Sequence, residues 1–355
     1  MPKLRATLVT PLTGSLAPFG QTCATGLALW AEHAAYLPAP WTGVDLDVRD
    51  SGPAMDAAMK AAVDTHPDML FGPYGSNTML AAARATQRVI WNHGGATSRL
   101  SRPTFPQVIN VLSPASTYFV RVLQAVHAFD PSATTITLCH SSTGFGRDVA
   151  NGAINAAADL HFKLQPISFK PQQAVTMIHT VPDADVLLVV GNFADELALA
   201  PRLLARQWRA AAFVGAGVAE VLAPLGKMRE RLLGPAQWMP TTFISPDEGP
   251  DSNWFITNYK KIVGDDPPYP AAQAFAAGLL CARCLRDTGS CEDADQLTAA
   301  TKLDCSTLYG AFRIDPQSGL QTGHQVLTVQ WQDGVRRVVW PPEHAERPLL
   351  VPFTV

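Results

Sequence analysis

The chain has 355 residues, of which 47% are hydrophobic and 16% are charged, a composition that excludes a disordered protein. Its formal net charge is -3 and its Lys and Arg residues are scattered, so no nucleic-acid partner is expected. The length suggests two lobes, and no stretch approaches the roughly 18–20 apolar residues of a membrane span.

The amino terminus leads directly from Met1 and Pro2 into a strand-like segment at 4–10. It has neither the apolar region nor the small-residue cleavage site of a signal peptide. The sequence therefore predicts either a cytoplasmic protein or the processed form of an exported one.

Along the chain, apolar strand-like runs alternate with helical patterns. The predicted strands lie at 4–10, 44–48, 70–71, 89–92, 108–112, 134–139, 186–190 and 211–214, and each is followed by a turn and most by a helix. Later helices are predicted at 253–263 and at 269–287, which Gly289 ends, and Asp293 could cap a short helix to 303. Two final strands, 325–331 and 335–340, flank a hairpin turn. This βα alternation predicts an α/β fold of parallel sheets covered by helices.

The glycine-rich turn at 72–78 and the small-residue turn at 93–96 both follow strands. The carboxyl ends of parallel strands share one edge of a sheet, where such sheets hold their ligands. Gly72 and Gly75 allow close approach of the backbone to a ligand, while Ser76, Asn77 or Thr78 could cap the next helix. Because N–H groups at a helix start attract anions, these turns predict one wall of a binding site for a carboxylate or another anion; the alternative is that they are ordinary βα turns.

Catalytic and metal motifs are weak. The chain contains no GxSxG, GxxxxGK[ST] or HExxH pattern, and Gly215-Ala216-Gly217 lacks the third glycine of a dinucleotide fingerprint. His93 and His140 follow strands and could activate a nearby serine (Ser76, Ser141 or Ser142), although a histidine in such a turn more often forms a structural hydrogen bond. No enzyme activity, metal or cofactor is predicted.

The six cysteines leave the redox compartment open. Cys281 and Cys284 have CxxC spacing inside an apolar helix, which favours buried thiols over a metal site. Cys291 and Cys305 bracket the short helix and could form a disulfide in an oxidising compartment.

Aromatic residues recur in the βα turns of both predicted lobes. They are Phe19, Tyr74 and Trp91 in the first lobe and Phe145 and Phe193 in the second. Aromatic faces provide apolar area while turn N–H groups provide orientation, a combination that suits a small organic ligand. At least two of the five rings are expected to be core.

Four segments in this order, 11–20, 71–76, 143–147 and 309–331, give the chain a recognisable likeness. It resembles the type I periplasmic binding proteins, in particular the leucine/isoleucine/valine-binding branch, which are substrate-binding components of branched-chain amino acid ABC transporters. The resemblance implies two Rossmann-like lobes joined by three crossing strands, near 110–113, 238–243 and 321–325, with the ligand in a cleft that closes about a hinge. The implied lobes are 1–111 plus 243–322, and 112–242 plus 323–355.

The resemblance also implies which residues bind the ligand. The family's serine and the following turn, which hold the ligand's carboxylate and amine, match Ser76 and 94–96. The ligand-binding residues expected on this basis are Phe19, Tyr74, Ser76, Asn77, His93, Gly94, Gly95, Ala96, Phe145 and Phe193.

This chain departs from the family pattern in three ways. Three family tyrosines are phenylalanines here. The acidic residue that pairs with the ligand's α-ammonium in the family has no counterpart at 215–217. His93 is not the residue that the family usually has at its position. Because a buried ammonium without an acidic partner is costly, the expected ligand is a carboxylate, amide or aromatic acid rather than an ordinary amino acid.

The resemblance further implies a protein that delivers its ligand to the membrane subunits of an ABC transporter from outside the cytoplasm. A monomer is expected, because a binding protein needs no second subunit. Two alternatives stay open at this point. One is a cytoplasmic ligand sensor on the same fold, and the other is an enzyme that uses the cleft histidines.

Overall fold

The computed structural model describes residues 2–33, 35–242 and 244–353. The chain divides into two compact units, Met1–Pro114 with Trp238–Gln325, and Ala115–Gln237 with Val326–Val355, so it passes from one unit to the other three times. The lobes expected from the sequence assign 112–114, 238–242 and 323–325 to the second lobe, whereas these residues lie in the first unit.

Side-chain contacts explain that difference at the boundaries. The Ser113 hydroxyl lies 2.6 Å from Nδ1 of His324, and the indole of Trp238 donates to the Leu308 carbonyl at 3.0 Å. Both contacts hold boundary residues within the first unit. Phe243, the expected end of the second crossing, lies outside the described residues.

The first unit contains a parallel sheet in the order β2-β1-β3-β4-β5. Its strands are β1 (Leu4–Thr10), β2 (Val44–Asp50), β3 (Met69–Phe71), β4 (Ile90–Asn92) and β5 (Val108–Asn110). Its helices are α1 (Ala17–His33), α2 (Met55–Val63), α3 (Ser76–Ala85), α7 (Ser252–Val263), α8 (Tyr269–Thr288) and α9 (Asp293–Lys302). A separate antiparallel pair consists of β11 (Asp304–Thr307) and β12 (Gly310–Arg313).

The second unit contains a mixed sheet in the order β14-β13-β10-β9-β8-β6-β7. Its strands are β6 (Thr135–Ser141), β7 (Lys163–Phe169), β8 (Val186–Val190), β9 (Ala210–Phe213), β10 (Leu233–Ala236), β13 (Leu327–Gln332) and β14 (Val335–Trp340). Strands β6 to β10 are parallel, while β13 runs antiparallel to β10 and forms a hairpin with β14. The helices are α4 (Tyr118–Phe129), α5 (Gly144–Asp159) and α6 (Phe193–Leu203).

Local sequence explains several element ends. Asp333 and Gly334 adopt φ values of 55° and 76°, the conformation of a tight hairpin turn, as their position predicts. Gly289 ends α8 in the left-handed region at φ 67°. Asp293 does not cap α9 as expected, because its carboxylate instead accepts hydrogen bonds from the Arg88 side chain and the Val89 N–H.

The described cysteines, including Cys291 and Cys305, are free thiols, so the disulfide that the sequence allowed is not formed in this structure. None of the described helices is both long and apolar enough to cross a membrane.

The close contact of Gly152 in the second unit is expected to make the folded state sensitive to substitution at this position. A Cβ on Gly152 of α5 would lie 1.7 Å from the Ser116 carbonyl oxygen, whereas a Cβ on Gly43 would meet nothing within 4 Å. We expect Gly152→Ala to lower the free energy of unfolding in urea by about 3 kcal/mol or more, because the backbone must move to admit the methyl group. Gly43→Ala is the matched control, with an expected change below about 1 kcal/mol. If the two variants unfolded at the same urea concentration and with the same dependence on urea, the close contact of Gly152 with the Ser116 carbonyl would be contradicted.

Candidate ligand-binding site

The predicted turns of the first unit follow β1, β3 and β4, which are adjacent in its sheet. The turn after β1 is organised by Asp50, whose carboxylate accepts hydrogen bonds from the N–H groups of Leu12 and Gly52 and from the Thr13 hydroxyl. These hydrogen bonds hold the pKa of Asp50 below its usual value. Asp50, the last residue of β2, thereby fixes the conformation of the segment that leads into α1.

An aromatic cluster lies at this edge of the sheet. Phe19, in the first turn of α1, stacks on Tyr74 with ring centres 4.7 Å apart and planes 6° apart. The Tyr74 hydroxyl is hydrogen-bonded to the hydroxyl of Tyr269, the first residue of α8. Tyr269 was not predicted as a site residue, and no local pattern marks it. Trp91, by contrast, lies fully buried in β4 and belongs to the core.

The start of α3 differs from the sequence expectation. The expected caps, Ser76, Asn77 or Thr78, are wrong: the capping position is Gly75, at φ 100°, which has no side chain to satisfy the first N–H groups. Thr78 instead donates its hydroxyl back to the carbonyls of Tyr74 and Gly75. The N–H groups of the first turn of a helix lack partners within the helix and carry partial positive charge. No acidic residue occupies this turn, where Ser76 is half-buried and Asn77 exposed.

The turn after β4 is held by Asn92. Its Oδ1 accepts from the N–H groups of Gly94 and Gly95 at 3.2 and 2.8 Å, and its Nδ2 donates to Oδ1 of Asn110 and to the Gly95 carbonyl. The N–H groups of Gly94 and Gly95, expected to bind a carboxylate, therefore already have an acceptor. The side chain of Asn92 sets the shape of this turn instead, and Ala96 follows it as a buried residue.

The two turns are in direct contact. The Gly75 N–H donates to the Gly94 carbonyl at 2.9 Å. A Cβ on Gly94 would lie 2.6 Å from Cα of Tyr74, so only glycine fits at this approach. Tyr74, Ser76 and the 93–96 turn are thus brought together, as the sequence pattern predicted from shared strand ends.

His93 is fully buried in this turn, and within the described part of the chain neither ring nitrogen forms a hydrogen bond of normal geometry, although backbone groups of His93 and Gly72 lie close enough to oppose part of the effect of burial on its pKa. Burial lowers the pKa of His93 to about 4, so the ring is neutral at pH 7. A buried imidazole whose hydrogen bonds are poorly formed costs free energy. The ring nitrogens therefore keep hydrogen-bonding capacity that the described residues use only in part.

The serine–histidine pairs considered from the sequence are not formed between the described residues. Neither ring nitrogen of His93 bonds to a serine hydroxyl there, and Nδ1 of His140 lies 3.2 Å from the Ser141 carbonyl oxygen. The hydrogen-bonded pair that does exist, Ser113 with His324, is buried beneath the ring of Tyr309. No group of three or more His, Cys, Asp or Glu side chains among the described residues could hold a metal ion.

In the second unit, Phe145 and Phe193 lie at the starts of α5 and α6, and both are half-buried. Phe145 makes an edge contact with Tyr118, at 5.8 Å between ring centres. These two helices follow β6 and β8, which are neighbours in the sheet. Unlike α3, both carry side-chain caps: Thr143 accepts from the Gly146 N–H, and Asn192 from the Asp195 N–H.

A surface cavity of about 340 Å³ lies elsewhere in the first unit, and none of the predicted site residues lines it. Its lining is Arg102, Pro106, Leu297, Thr298, Thr301 and Lys302. The Arg102 guanidinium donates to the Pro316 carbonyl and the Thr301 hydroxyl, and Lys302 ends α9, where a cation complements the helix carbonyls. The basic lining of this cavity is therefore accounted for by the fold.

The architecture and the strand-end turns define a class of protein, the two-lobed ligand-binding proteins with parallel sheets flanked by helices. The chain belongs to the periplasmic binding protein family, whose model matches residues 3–335. Its fold is that of the type I members, as the sequence resemblance predicted.

Solved structures agree with this fold. A leucine-binding protein, LivK, from Thermotoga maritima is 16% identical, with a TM-score of 0.78 over 96% of this chain and 99% of that one. The branched-chain amino acid transporter substrate-binding protein LivJ from Streptococcus pneumoniae, in complex with isoleucine, is 12% identical, with a TM-score of 0.77 over 99% and 100%. An ABC transporter solute-binding protein from R. palustris, in complex with benzoate, is 12% identical, with a TM-score of 0.76 over 95% and 96%.

Proposed function

We propose that this protein is a non-catalytic solute-binding protein of an ABC transporter that binds a small carboxylate without an α-amine. The proposed carboxylate site is the start of α3, at Ser76 and the N–H groups of the first helical turn. Phe19 and Tyr74 provide the apolar surface for the body of the ligand, and His93 provides a neutral hydrogen-bonding group.

The observation that carries this proposal is the start of α3 itself. Gly75 leaves the first N–H groups without a side-chain cap, a feature that α3 shares with α2, α4, α8 and α9 but not with α5 and α6; α3 combines it with a position directly after the turn that carries Tyr74. An anion is the preferred partner of such a helix terminus. The uncapped terminus lies beside the stacked ring of Tyr74, and its turn is hydrogen-bonded to the turn of His93, so polar and apolar groups converge at one place.

The choice against an α-amine rests on charge. The segment 215–217 offers glycine and alanine rather than an acid, and a desolvated ammonium needs a carboxylate partner. Relatives with the same fold have been solved with benzoate, 4-hydroxybenzoate and 3,4-dihydroxybenzoic acid, and another with isoleucine. Both the benzoates and an amino acid suit this architecture, and the lack of an acid at 215–217 in this chain favours the benzoates.

The remaining parts of the proposal follow from the family. The partners are the membrane subunits of an ABC transporter, the location is outside the cytoplasm, and the protein acts as a monomer. Asn77, Gly94, Gly95 and Ala96 stay predicted members of the site in the first unit, and Phe145 and Phe193 in the second.

The test is a thermal-shift screen followed by calorimetry, with benzoate, 4-hydroxybenzoate, leucine and isoleucine as probes. A ligand at 100 times its dissociation constant stabilises the folded state by about 2.7 kcal/mol, which raises Tm by several degrees. We expect benzoate or its hydroxylated form to bind, to be recovered unchanged, and to bind more tightly than leucine.

Tight binding confined to leucine and isoleucine would contradict the ligand class while keeping the solute-binding function. Failure of all four probes to shift Tm would contradict the proposed carboxylate site. Turnover of a bound probe, detected by mass spectrometry after long incubation, would contradict a non-catalytic role.

A further inference from the structure

Glu196 in α6 is fully buried, yet no Lys, Arg or His of the described residues lies within ion-pair distance of it. Its partners are backbone groups of two turns. Oε1 accepts from the Gly191 N–H at 3.1 Å, and Oε2 accepts from the Gly215 N–H at 2.7 Å. Gly191 follows β8 and Gly215 follows β9, and these strands are adjacent. One carboxyl group therefore connects two neighbouring turns at the strand ends.

The local sequence is arranged around this carboxyl group. Asn192 caps α6 directly after Gly191, so Phe193 is the first helical residue and Glu196 lies one turn later. A Cβ on Gly215 would lie 2.7 Å from Oε2 of Glu196, so the absence of a side chain there makes room for the carboxyl group. Asp195 is also buried, but its oxygens accept from the Gln172 N–H and the Asn192 side chain.

Burial raises the pKa of Glu196 to about 8, with the nearby charge of Asp195 as a smaller cause in the same direction. The other segments packed against α6, 174–180 and 223–229, carry His179, Lys227 and Arg229, which lie at or near the surface. At pH 7 the carboxyl group is mostly protonated, and in that form its two oxygens can still accept both N–H groups.

We propose that Glu196 is a positioning residue of the ligand site, which holds the turn carrying Phe193 against the turn at 215–217. This role rests on the proposed function, because it matters for binding only if the strand-end turns of the second unit contact ligand. It also specifies the ligand class further. Glu196, which is fully buried at this edge among the described residues, already accepts two backbone N–H groups, so it is not offered to a ligand ammonium.

The test compares Glu196→Gln with Asp195→Asn, a matched acid-to-amide change one residue away on the same helix. The glutamine oxygen can accept from one turn, but its NH₂ group cannot accept from the other, so one of the two contacts is lost. We expect E196Q to weaken benzoate binding at least tenfold in calorimetry at pH 7, and D195N to change it less than threefold. Both variants are checked for the native fold by circular dichroism before titration.

Amide NMR provides a readout that a general loss of stability would not move. In the wild type, the Gly191 and Gly215 amide resonances should titrate with a common midpoint near pH 8, and in E196Q this titration should be absent. It should persist in D195N. These shifts report the contact directly and need no ligand.

Two results would overturn the proposal. One is benzoate affinity in E196Q within twofold of wild type although the Gly215 titration is lost. The other is a loss of benzoate affinity in D195N as large as that in E196Q, which would show that any acid-to-amide change in α6 weakens binding. If wild-type protein binds none of the probes, the proposed function itself fails, and the amide titration still shows separately whether Glu196 connects the two turns.

Discussion

Replacing Ser76 with aspartate should reduce binding of benzoate by roughly 100-fold while making the unliganded protein slightly more stable. The two effects have opposite signs because they act on the same partial positive charge at the start of α3. An aspartate there gains about 0.3–1 kcal/mol from the helix dipole, since the first turn holds no acid now. A carboxylate ligand would then meet a like charge, which costs several kcal/mol, and about 1.4 kcal/mol corresponds to each tenfold change.

Two variants separate charge from the loss of the hydroxyl group. Ser76→Ala removes one hydrogen-bonding group without adding charge and should cost roughly 3–10-fold in affinity. Asn77→Asp places the same charge on the next residue, which is exposed, and should cost less than S76D because water screens it. Affinity of S76D equal to wild type, measured by calorimetry at low ionic strength, would show that the carboxylate does not bind at α3.

Much of the fold follows from local patterns. Continuous apolar runs such as 186–190 predict strands buried on both faces, and the turn at 332–334 predicts the final hairpin; both are confirmed. Local patterns do not predict strand β10, because its sequence, Leu-Gly-Pro-Ala, contains two residues that disfavour strands. Its pairing with β9 and β13 overrides that local preference.

Part of the candidate site also follows from local patterns, and part is visible only in the folded structure. The turns of Tyr74, Ser76 and His93 were predictable because parallel strands bring their carboxyl ends to one edge. The partners of these residues were not, since Tyr269 is far from Tyr74 in the chain and Asn92 reads as an ordinary strand end. Glu196 follows another acid in a helix, a pattern typical of an exposed surface, and only the fold shows that it is buried.

Replacing His93 with leucine should stabilise the protein, and more so in acid. The wild-type imidazole is buried without a hydrogen bond of normal geometry, which costs up to about 1–3 kcal/mol, so an apolar side chain of similar size should raise or maintain the free energy of unfolding at pH 7.5. The folded pKa of about 4 lies below the ordinary 6.5. The folded state therefore binds fewer protons than the unfolded state, and wild-type stability falls as pH drops from 6.5 towards 4.

The leucine variant lacks this titration, so the stability difference between H93L and wild type should widen by roughly 2–3 kcal/mol between pH 7.5 and 4.5. His93→Gln is the control: it also lacks the titration but keeps buried polar atoms, so it should share the flatter pH profile without the gain at pH 7.5. Urea unfolding at several pH values measures both. Parallel pH profiles for wild type and H93L would mean that the imidazole has a hydrogen-bond partner in solution.

If His93 also contacts the ligand, the stabilised H93L protein should bind benzoate about tenfold more weakly, because a site built to form a hydrogen bond then lacks the group that forms it. A gain in stability coupled to a loss of affinity is what distinguishes a binding histidine from one that is merely buried, since the latter would improve the fold and leave affinity unchanged.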